Sequence, residues 1–256
     1  MTIEEFLTEW NNADTRVLVH TSGSTGKPKP LWVEKSRMLN SARITCDFLR
    51  LKAGDTALLC MPLDYIAGKM VVVRSIERNL RLINVKPSGH PLSDDSLRQA
   101  NALHEEITFA AMVPLQVYNS LQVPQERERL RKIKQLIIGG GAIEDHLSKV
   151  LKDFPHAVWS TYGMTETLSH IALRRLNGDS ASDWYEPFDS VEVNLNTDGC
   201  LIINAPAVCS KPLVTNDRAE LQTISLSNDK HKQVRFRILG RRDNVIDSGG
   251  IKIQIE

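Results

Sequence analysis

The stretch Val17-Leu-Val-His-Thr-Ser-Gly-Ser-Thr-Gly-Lys-Pro-Lys29 decides the fold. Its β-branched start, Val17 to Val19, reads as a buried strand. The strand empties into a loop of hydroxyls, glycines and lysines, the composition of a phosphate cradle. Glycines let backbone N–H groups approach an anion, hydroxyls donate further hydrogen bonds, and lysines add charge. The spacing is not that of a Walker loop, G-x-x-x-x-G-K-[ST]. Only Ser24 and Thr25 separate Gly23 from Gly26, and Pro28 follows Lys27.

Outward from this stretch, strand and helix patterns alternate. Residues 2–11 open with Thr2-x-x-Glu5, a capping box, and carry Ile3, Phe6, Leu7 and Trp10 on one helical face. Strands are expected at 31–33, 56–61, 82–85, 107–112, 136–138 and 157–161. Helices are expected at 35–52, at 68–79 opened by Gly68, at 93–105, from Pro114 onward and at 143–152. Such alternation implies an α/β fold, a mostly parallel sheet flanked by helices, with ligands at the carboxyl ends of its strands. Near residue 168 the pattern changes to short alternating strands around 191–195, 200–203, 219–224 and 234–239, with a hairpin turn at Asp198-Gly199. The expected organisation is an α/β nucleotide- and acyl-binding region over 1–168, an antiparallel β subdomain over 169–240, and a hinge opening a further domain over 241–256. The alternation of Ile251-Lys-Ile-Gln-Ile-Glu256 implies a chain cut inside, or just after, the first hairpin of that further domain.

Composition narrows the function. The 256 residues are 41% hydrophobic and 25% charged, with a net charge of +1. Nothing in that balance points to a nucleic acid or an anionic membrane. The acidic, amphipathic N-terminus resembles neither a signal nor a transit peptide. No apolar run approaches the ~18–20 residues of a membrane span. Cys46, Cys60, Cys200 and Cys209 lack metal-ligand spacing and disulfide density, as expected of buried thiols in a cytoplasmic protein.

Four later motifs carry chemistry. Gly139-Gly-Gly-Ala142 follows a strand and opens a helix, so a flat ligand can lie against bare backbone at Gly140, Gly141 and Ala142. In Tyr162-Gly-Met-Thr-Glu-Thr167, Tyr162 can stack on a base and Gly163 leaves room for it. Thr165 can bind a phosphate oxygen, and Glu166 can hold Mg²⁺, a hard ion that prefers carboxylates and phosphates. Thr215-Asn-Asp-Arg-Ala-Glu-Leu221 presents Asp217, and Gly240-Arg-Arg-Asp-Asn-Val-Ile246 precedes Ser248-Gly-Gly250.

In this order, from Thr21 to Ile253, the motifs resemble the adenylate-forming superfamily of acyl-CoA synthetases, luciferases and peptide-synthetase adenylation domains. The resemblance implies ATP, Mg²⁺ and CoA as partners of a small-molecule carboxylic acid, which is activated as acyl-AMP and then transferred to CoA. It implies that Thr21, Ser22, Gly23, Ser24, Thr25, Gly26, Lys27 and Lys29 hold phosphates, Lys29 with Thr165 and Glu166 in catalytic roles and Thr25 with Glu166 near the metal. It gives Tyr162, Gly140 and Gly141 to adenine and Asp217 with Arg241 to ribose. Asp243 becomes the hinge pivot. Met61-Pro-Leu-Asp-Tyr-Ile-Ala-Gly68 stands where many members carry a His or aromatic gate over the acyl pocket; here it is Asp64-Tyr65.

Only twenty residues precede Thr21, and that short form, with Tyr162 to Leu173, resembles the 2-succinylbenzoate–CoA ligases of menaquinone synthesis. A second substrate carboxylate would need donors, for which Lys69, Arg74 and His170 are the candidates. The family's C-terminal lysine has no counterpart here, which implies poor overall turnover by this piece. The same motifs fit another aryl- or fatty-acid ligase, a carrier-loading adenylation domain, or a nucleotide-binding module without turnover.

Overall fold

Alternating apolar segments build a mixed sheet whose strand ends open on one cleft. The computed structural model describes residues 1–20, 30–97, 106–225, 232–242, 245–248 and 251–254. The cradle residues Thr21, Ser22, Gly23, Ser24, Thr25, Gly26, Lys27 and Lys29 lie outside the described residues. So do Asp243, Gly249, Gly250 and most of the helix expected at 93–105.

The chain opens with α1 (Ile3–Asn11), whose capping box forms: Glu5 N–H donates to Thr2 Oγ1 at 3.2 Å, and Thr2 N–H to Glu5 Oε2 at 2.8 Å. Next come β1 (Arg16–His20) and β2 (Pro30–Glu34), paired antiparallel on either side of the cradle segment. The main body then runs α2 (Lys35–Phe48), β3 (Thr56–Leu59), α3 (Ile66–Arg78), β4 (Arg81–Asn84), β5 (Phe109–Met112), α4 (Pro114–Gln122), α5 (Pro124–Lys132), β6 (Gln135–Ile138), α6 (Asp145–Leu151) and β7 (Ala157–Gly163). Strands β8 (His170–Arg175) and β9 (Glu186–Pro187) complete a seven-stranded sheet among the described residues, in the order β4-β3-β5-β6-β7-β8-β9. From β4 to β7 the pairs are parallel; β7–β8 and β8–β9 are antiparallel. Every residue of β3 and β5 is buried, as a central strand covered on both faces requires.

The second sheet is antiparallel: β10 (Glu192–Leu195), β11 (Cys200–Asn204), β12 (Leu213–Ser225) and β13 (Lys232–Arg241), in that order. A hairpin of β14 (Val245–Ser248) and β15 (Ile251–Gln254) follows, so the strand expected at 251 pairs with the segment just before it. The architecture is therefore α/β, a largely parallel sheet with flanking helices plus an antiparallel sheet.

Local corrections have physical reasons. Helix α2 stops at Phe48 rather than 52, because Arg50 takes a left-handed φ of 54°. Helix α3 starts at Ile66, and Gly68 lies inside it. A Cβ at Gly68 would collide with the Pro62 carbonyl, so its missing side chain lets α3 pack onto the segment that follows β3. Pro124 splits the expected helix after Pro114 into α4 and α5. At 91–93 the chain makes a 3₁₀ turn.

Candidate active site

The carboxyl ends of β3, β5, β6 and β7 surround a cavity of about 560 Å³. Its walls include Met61, Pro62, Ile66 and Ala67, Met112, Val113 and Gln116, Gly139 and Gly140, and Thr161, Gly163 to Thr165 and Leu168 to His170. His20, at the end of β1, and Tyr65, just before α3, also line it and meet through a parallel backbone bridge. Tyr65 thus stands where the sequence placed the gate, 44% exposed.

The signature after β7 is held tightly. Gly163 packs so close to Ser169 and His170 that a Cβ would overlap their backbone. Thr165 to Thr167 form a 3₁₀ turn closed by Leu168 at a left-handed φ of 65°. Thr165 is buried and lines the cavity, whereas the Glu166 side chain is exposed. The Glu166 carbonyl accepts a hydrogen bond from Cys209 Sγ at 3.2 Å. Gly140 lies on the cavity wall with φ 80°, a conformation that favours glycine. Gly141 and Ala142 are exposed beyond it.

Two sheets bring Tyr162, Asp217 and Arg241 together. Asp217 and Arg241 are register partners on β12 and β13. Tyr162 Oη donates to Asp217 Oδ2 at 2.6 Å, and Arg241 Nη1 donates to Asp217 Oδ1 at 3.3 Å. The Tyr162 ring packs edge-on against Phe236, centroids 5.1 Å apart, and near Tyr185. Burial, then the Asp217 charge and hydrogen bond, push its phenol well above the usual range. The ring is therefore a neutral platform with a donor at its tip.

A second cluster sits on the α3 wall. Arg74 is only 2% exposed and lines the cavity. Its Nη2 donates to Ser169 Oγ at 2.7 Å and to Thr45 Oγ1 at 3.4 Å, and its Nε has no hydrogen-bond partner. Burial lowers its pKa to about 10. Thr45 Oγ1 donates to the Ser41 carbonyl at 3.0 Å, so it accepts from His170 Nε2 at 3.0 Å. That places the imidazole proton on Nε2 and leaves Nδ1 to accept from Ser169 Oγ at 3.2 Å. Burial, and secondarily the Arg74 charge, hold His170 well below its ordinary pKa, so it is neutral. Among the described residues no carboxylate pairs with Arg74, and its neighbours at hydrogen-bonding distance are hydroxyls. A buried cation without a counter-charge is costly unless an anion arrives from outside.

Of the three residues proposed from sequence for this end, Arg74 and His170 line the cavity. Lys69 does not: its ammonium donates to the Leu18 carbonyl at 2.8 Å and pairs with Glu9 at 3.1 Å. The sequence reading missed Ser169 and Thr45. Thr45 did leave a signal: with Ser41 it puts two hydroxyls on the buried face of α2 that Met38, Ala42 and Cys46 also form.

The site is thus a cleft at strand carboxyl ends with a buried arginine among hydroxyls on its wall, and an aromatic–carboxylate–arginine cluster whose Tyr162 adjoins the lining residues Thr161 and Gly163; in α/β sheets such clefts are where ligands bind. A family model described as AMP-binding enzyme matches residues 4–197, and the chain belongs to that family. It is 26% identical over 247 residues to a 2-succinylbenzoate–CoA ligase of Haemophilus influenzae, a match covering 92% of this chain and 50% of that protein. An acyl-CoA synthetase (AMP-forming)/AMP-acid ligase II-like protein from Dyadobacter fermentans superposes with a TM-score of 0.79 at 34% identity, covering 98% of this chain and 67% of that one. The o-succinylbenzoate coenzyme A synthetase of Bacillus subtilis, solved with ATP and magnesium ion, shares the fold at a TM-score of 0.70 and 24% identity, covering 93% and 52%. The fold is that of the N-terminal domain of adenylate-forming enzymes. The chain spans about half the length of the curated relatives it matches. Among the described residues no helix is long and apolar enough to cross a membrane.

Proposed function

We propose that this chain binds ATP and a carboxylic acid for an AMP-forming acid–CoA ligase, and that the acid carries a second carboxylate, with 2-succinylbenzoate the best fit. The observation that carries this reading is Arg74, buried on the cavity wall with a free Nε and no protein carboxylate among the described residues. A distal carboxylate there would supply the missing charge and accept from the guanidinium. Monocarboxylic aryl or fatty acids would leave the cation unpaired. The names of the curated relatives agree with this choice.

In the reaction, the substrate carboxylate attacks the α-phosphorus of ATP, the α–β bridging bond breaks, and pyrophosphate leaves with its electron pair. The CoA thiolate then attacks the acyl carbon and AMP departs. The first step needs no protein base, because the acid is already ionised. The chain's task is positioning and charge stabilisation. Tyr162 and Gly140–Gly141 flank adenine, and Asp217 accepts from the ribose hydroxyls beside Arg241. Ser22, Ser24, Thr25 and Lys29 hold the terminal phosphates, and Thr165 bounds the reacting centre.

For Mg²⁺, no group of three or more acidic, His or Cys side chains gathers among the described residues. One exposed carboxylate, Glu166, with Thr25 suits an ion that takes most of its ligands from phosphates and water. When bound, the ion supplies charge neutralisation on the phosphates. Four free, buried thiols fit a cytoplasmic setting.

The test is calorimetric titration of the chain with stable succinylbenzoyl-, benzoyl- and long-chain acyl-AMP analogues. Selective binding of the first supports the reading. Equal binding of all three removes the second carboxylate from it.

A further inference from the structure

Lys69 is as buried as Arg74, at 2% exposure, yet it serves a different element. It sits 5.2 Å over the Phe6 ring, donates to the Leu18 carbonyl and pairs with Glu9 Oε2. The other Glu9 oxygen, Oε1, accepts from Leu18 N–H at 3.2 Å. Both backbone groups of Leu18 are thus held by one ion pair. Among the described residues strand β1 has a single ladder partner, β2, with Leu18 opposite Trp32. On its other edge, Glu9 and Lys69 supply the acceptor and the donor that a third strand would have offered. Two residues later His20 bridges to Tyr65 at the start of α3, and the cradle segment begins at Thr21.

We infer that the Glu9–Lys69 pair is a positioning device for the phosphate cradle: it clamps the strand from which residues 21–29 depart onto α3, the helix that also carries Arg74. This rests on the proposal that those residues hold the terminal phosphates of ATP. A buried ion pair is seldom the most stable solution for a site, since apolar packing often does as well. Here both charges are also committed to one backbone unit, so the pair fixes a register that apolar side chains cannot. Through α3 the clamp joins the acid end of the cleft to the root of the cradle.

The test compares ATP with AMP, which lacks the terminal phosphates. In the double variant Glu9→Gln/Lys69→Met no charge is left unpaired, the new amide oxygen still accepts from Leu18 N–H, and the Leu18 carbonyl loses its donor. ATP affinity is expected to fall about five- to tenfold while AMP affinity stays within about twofold. Equal weakening of both nucleotides, as general loosening would give, overturns the inference; so does unchanged ATP affinity. Should the double variant unfold, Glu9→Gln alone is read the same way, with an expected loss of about two- to threefold for ATP only. Lys29→Ala, measured in parallel, separates the premises. If it weakens ATP and the clamp variant does not, the clamp fails and the cradle stands. If Lys29→Ala leaves ATP affinity unchanged, the cradle reading falls and the clamp with it.

Discussion

Under the proposed function two arginines serve the two ends of the ligand, and they are in opposite electrostatic states. Arg241 is 38% exposed and already paired with Asp217, which also holds Tyr162. Arg74 is buried, with two hydroxyls at hydrogen-bonding distance, a neutral imidazole nearby and the Phe109 ring centroid 6.0 Å away, and has no acidic partner among the described residues. The first cluster is already closed within the protein, so a ribose hydroxyl, as proposed, would join an existing network. The second has no counter-charge among the described residues, so in the proposed function its binding energy and selectivity would come from the anion that finishes it. Preorganisation at one cluster and deficit at the other would be two ways for one protein to hold two parts of the proposed ligand.

The largest expected effect is on the deficient end. Arg74→Met should weaken binding of an acyl-AMP analogue with a distal carboxylate by about 100-fold, as loss of one partner in a desolvated charge pair does. The unliganded variant should melt no lower than the parent, since an unpaired buried cation has been replaced by an apolar chain of similar length. Unfolding scans and titrations of the same samples check both halves. A clear drop in melting temperature would show that Arg74 is already satisfied within the protein.

At the complete end the expected loss is smaller. Asp217→Asn keeps acceptors but removes the charge that holds Arg241, and ATP affinity should fall about tenfold. The preference among acyl groups should stay as it was. A changed acyl preference would mean that the two ends are not independent.

The third prediction concerns pH. His170 is held well below its ordinary value of 6.5, so the folded protein keeps it neutral where the unfolded chain takes up a proton. More protons bound to the unfolded state means that stability falls as pH drops below about 6.5, with a slope of at most ~1.4 kcal/mol per pH unit. Denaturant titrations between about pH 7 and pH 5 should show a flatter profile for His170→Gln than for the parent. Parallel profiles would place the proton elsewhere.

The smallest effect is a reactivity. Burial raises the Cys46 thiol to about 11 and the Cys60 thiol to about 12. Iodoacetamide at about pH 8 should leave both unmodified in the folded protein and label them in urea. Mass spectrometry reads the result, and rapid labelling of the native protein would contradict the burial.

Much of this was legible in the sequence. Strand–helix alternation yields the parallel sheet because buried strands must be apolar throughout, and β3 and β5 nearly are, with Thr56 the one polar residue in them. Tyr162, Asp217 and Arg241 were each assigned to one nucleotide from motif order, and the two sheets do bring them within hydrogen-bonding distance. The α3 cluster was legible only in part. Lys69 and Arg74 are five positions apart, about 140° around a helix of 3.6 residues per turn, so they cannot share a face. Periodicity alone did not say which flank of α3 meets the cavity. Ser169 and Thr45 were missed because their partner is set by packing of α2 against α3 and β8, which no local pattern encodes. The end of α2 was misplaced because a left-handed Arg50 leaves no signal of the kind glycine leaves.

If the unpaired charge of Arg74 selects the ligand, neutralising the ligand's distal group must abolish the selection. The decisive titration uses the chain, and its Arg74→Met variant, with a stable succinylbenzoyl-AMP analogue and with the same analogue carrying a methyl ester on its distal carboxylate. The free acid is expected to bind the parent at least about 30-fold more tightly than the ester, and the gap to close in the variant. Equal binding of acid and ester to the parent, or a gap that survives in Arg74→Met, would contradict that role for Arg74.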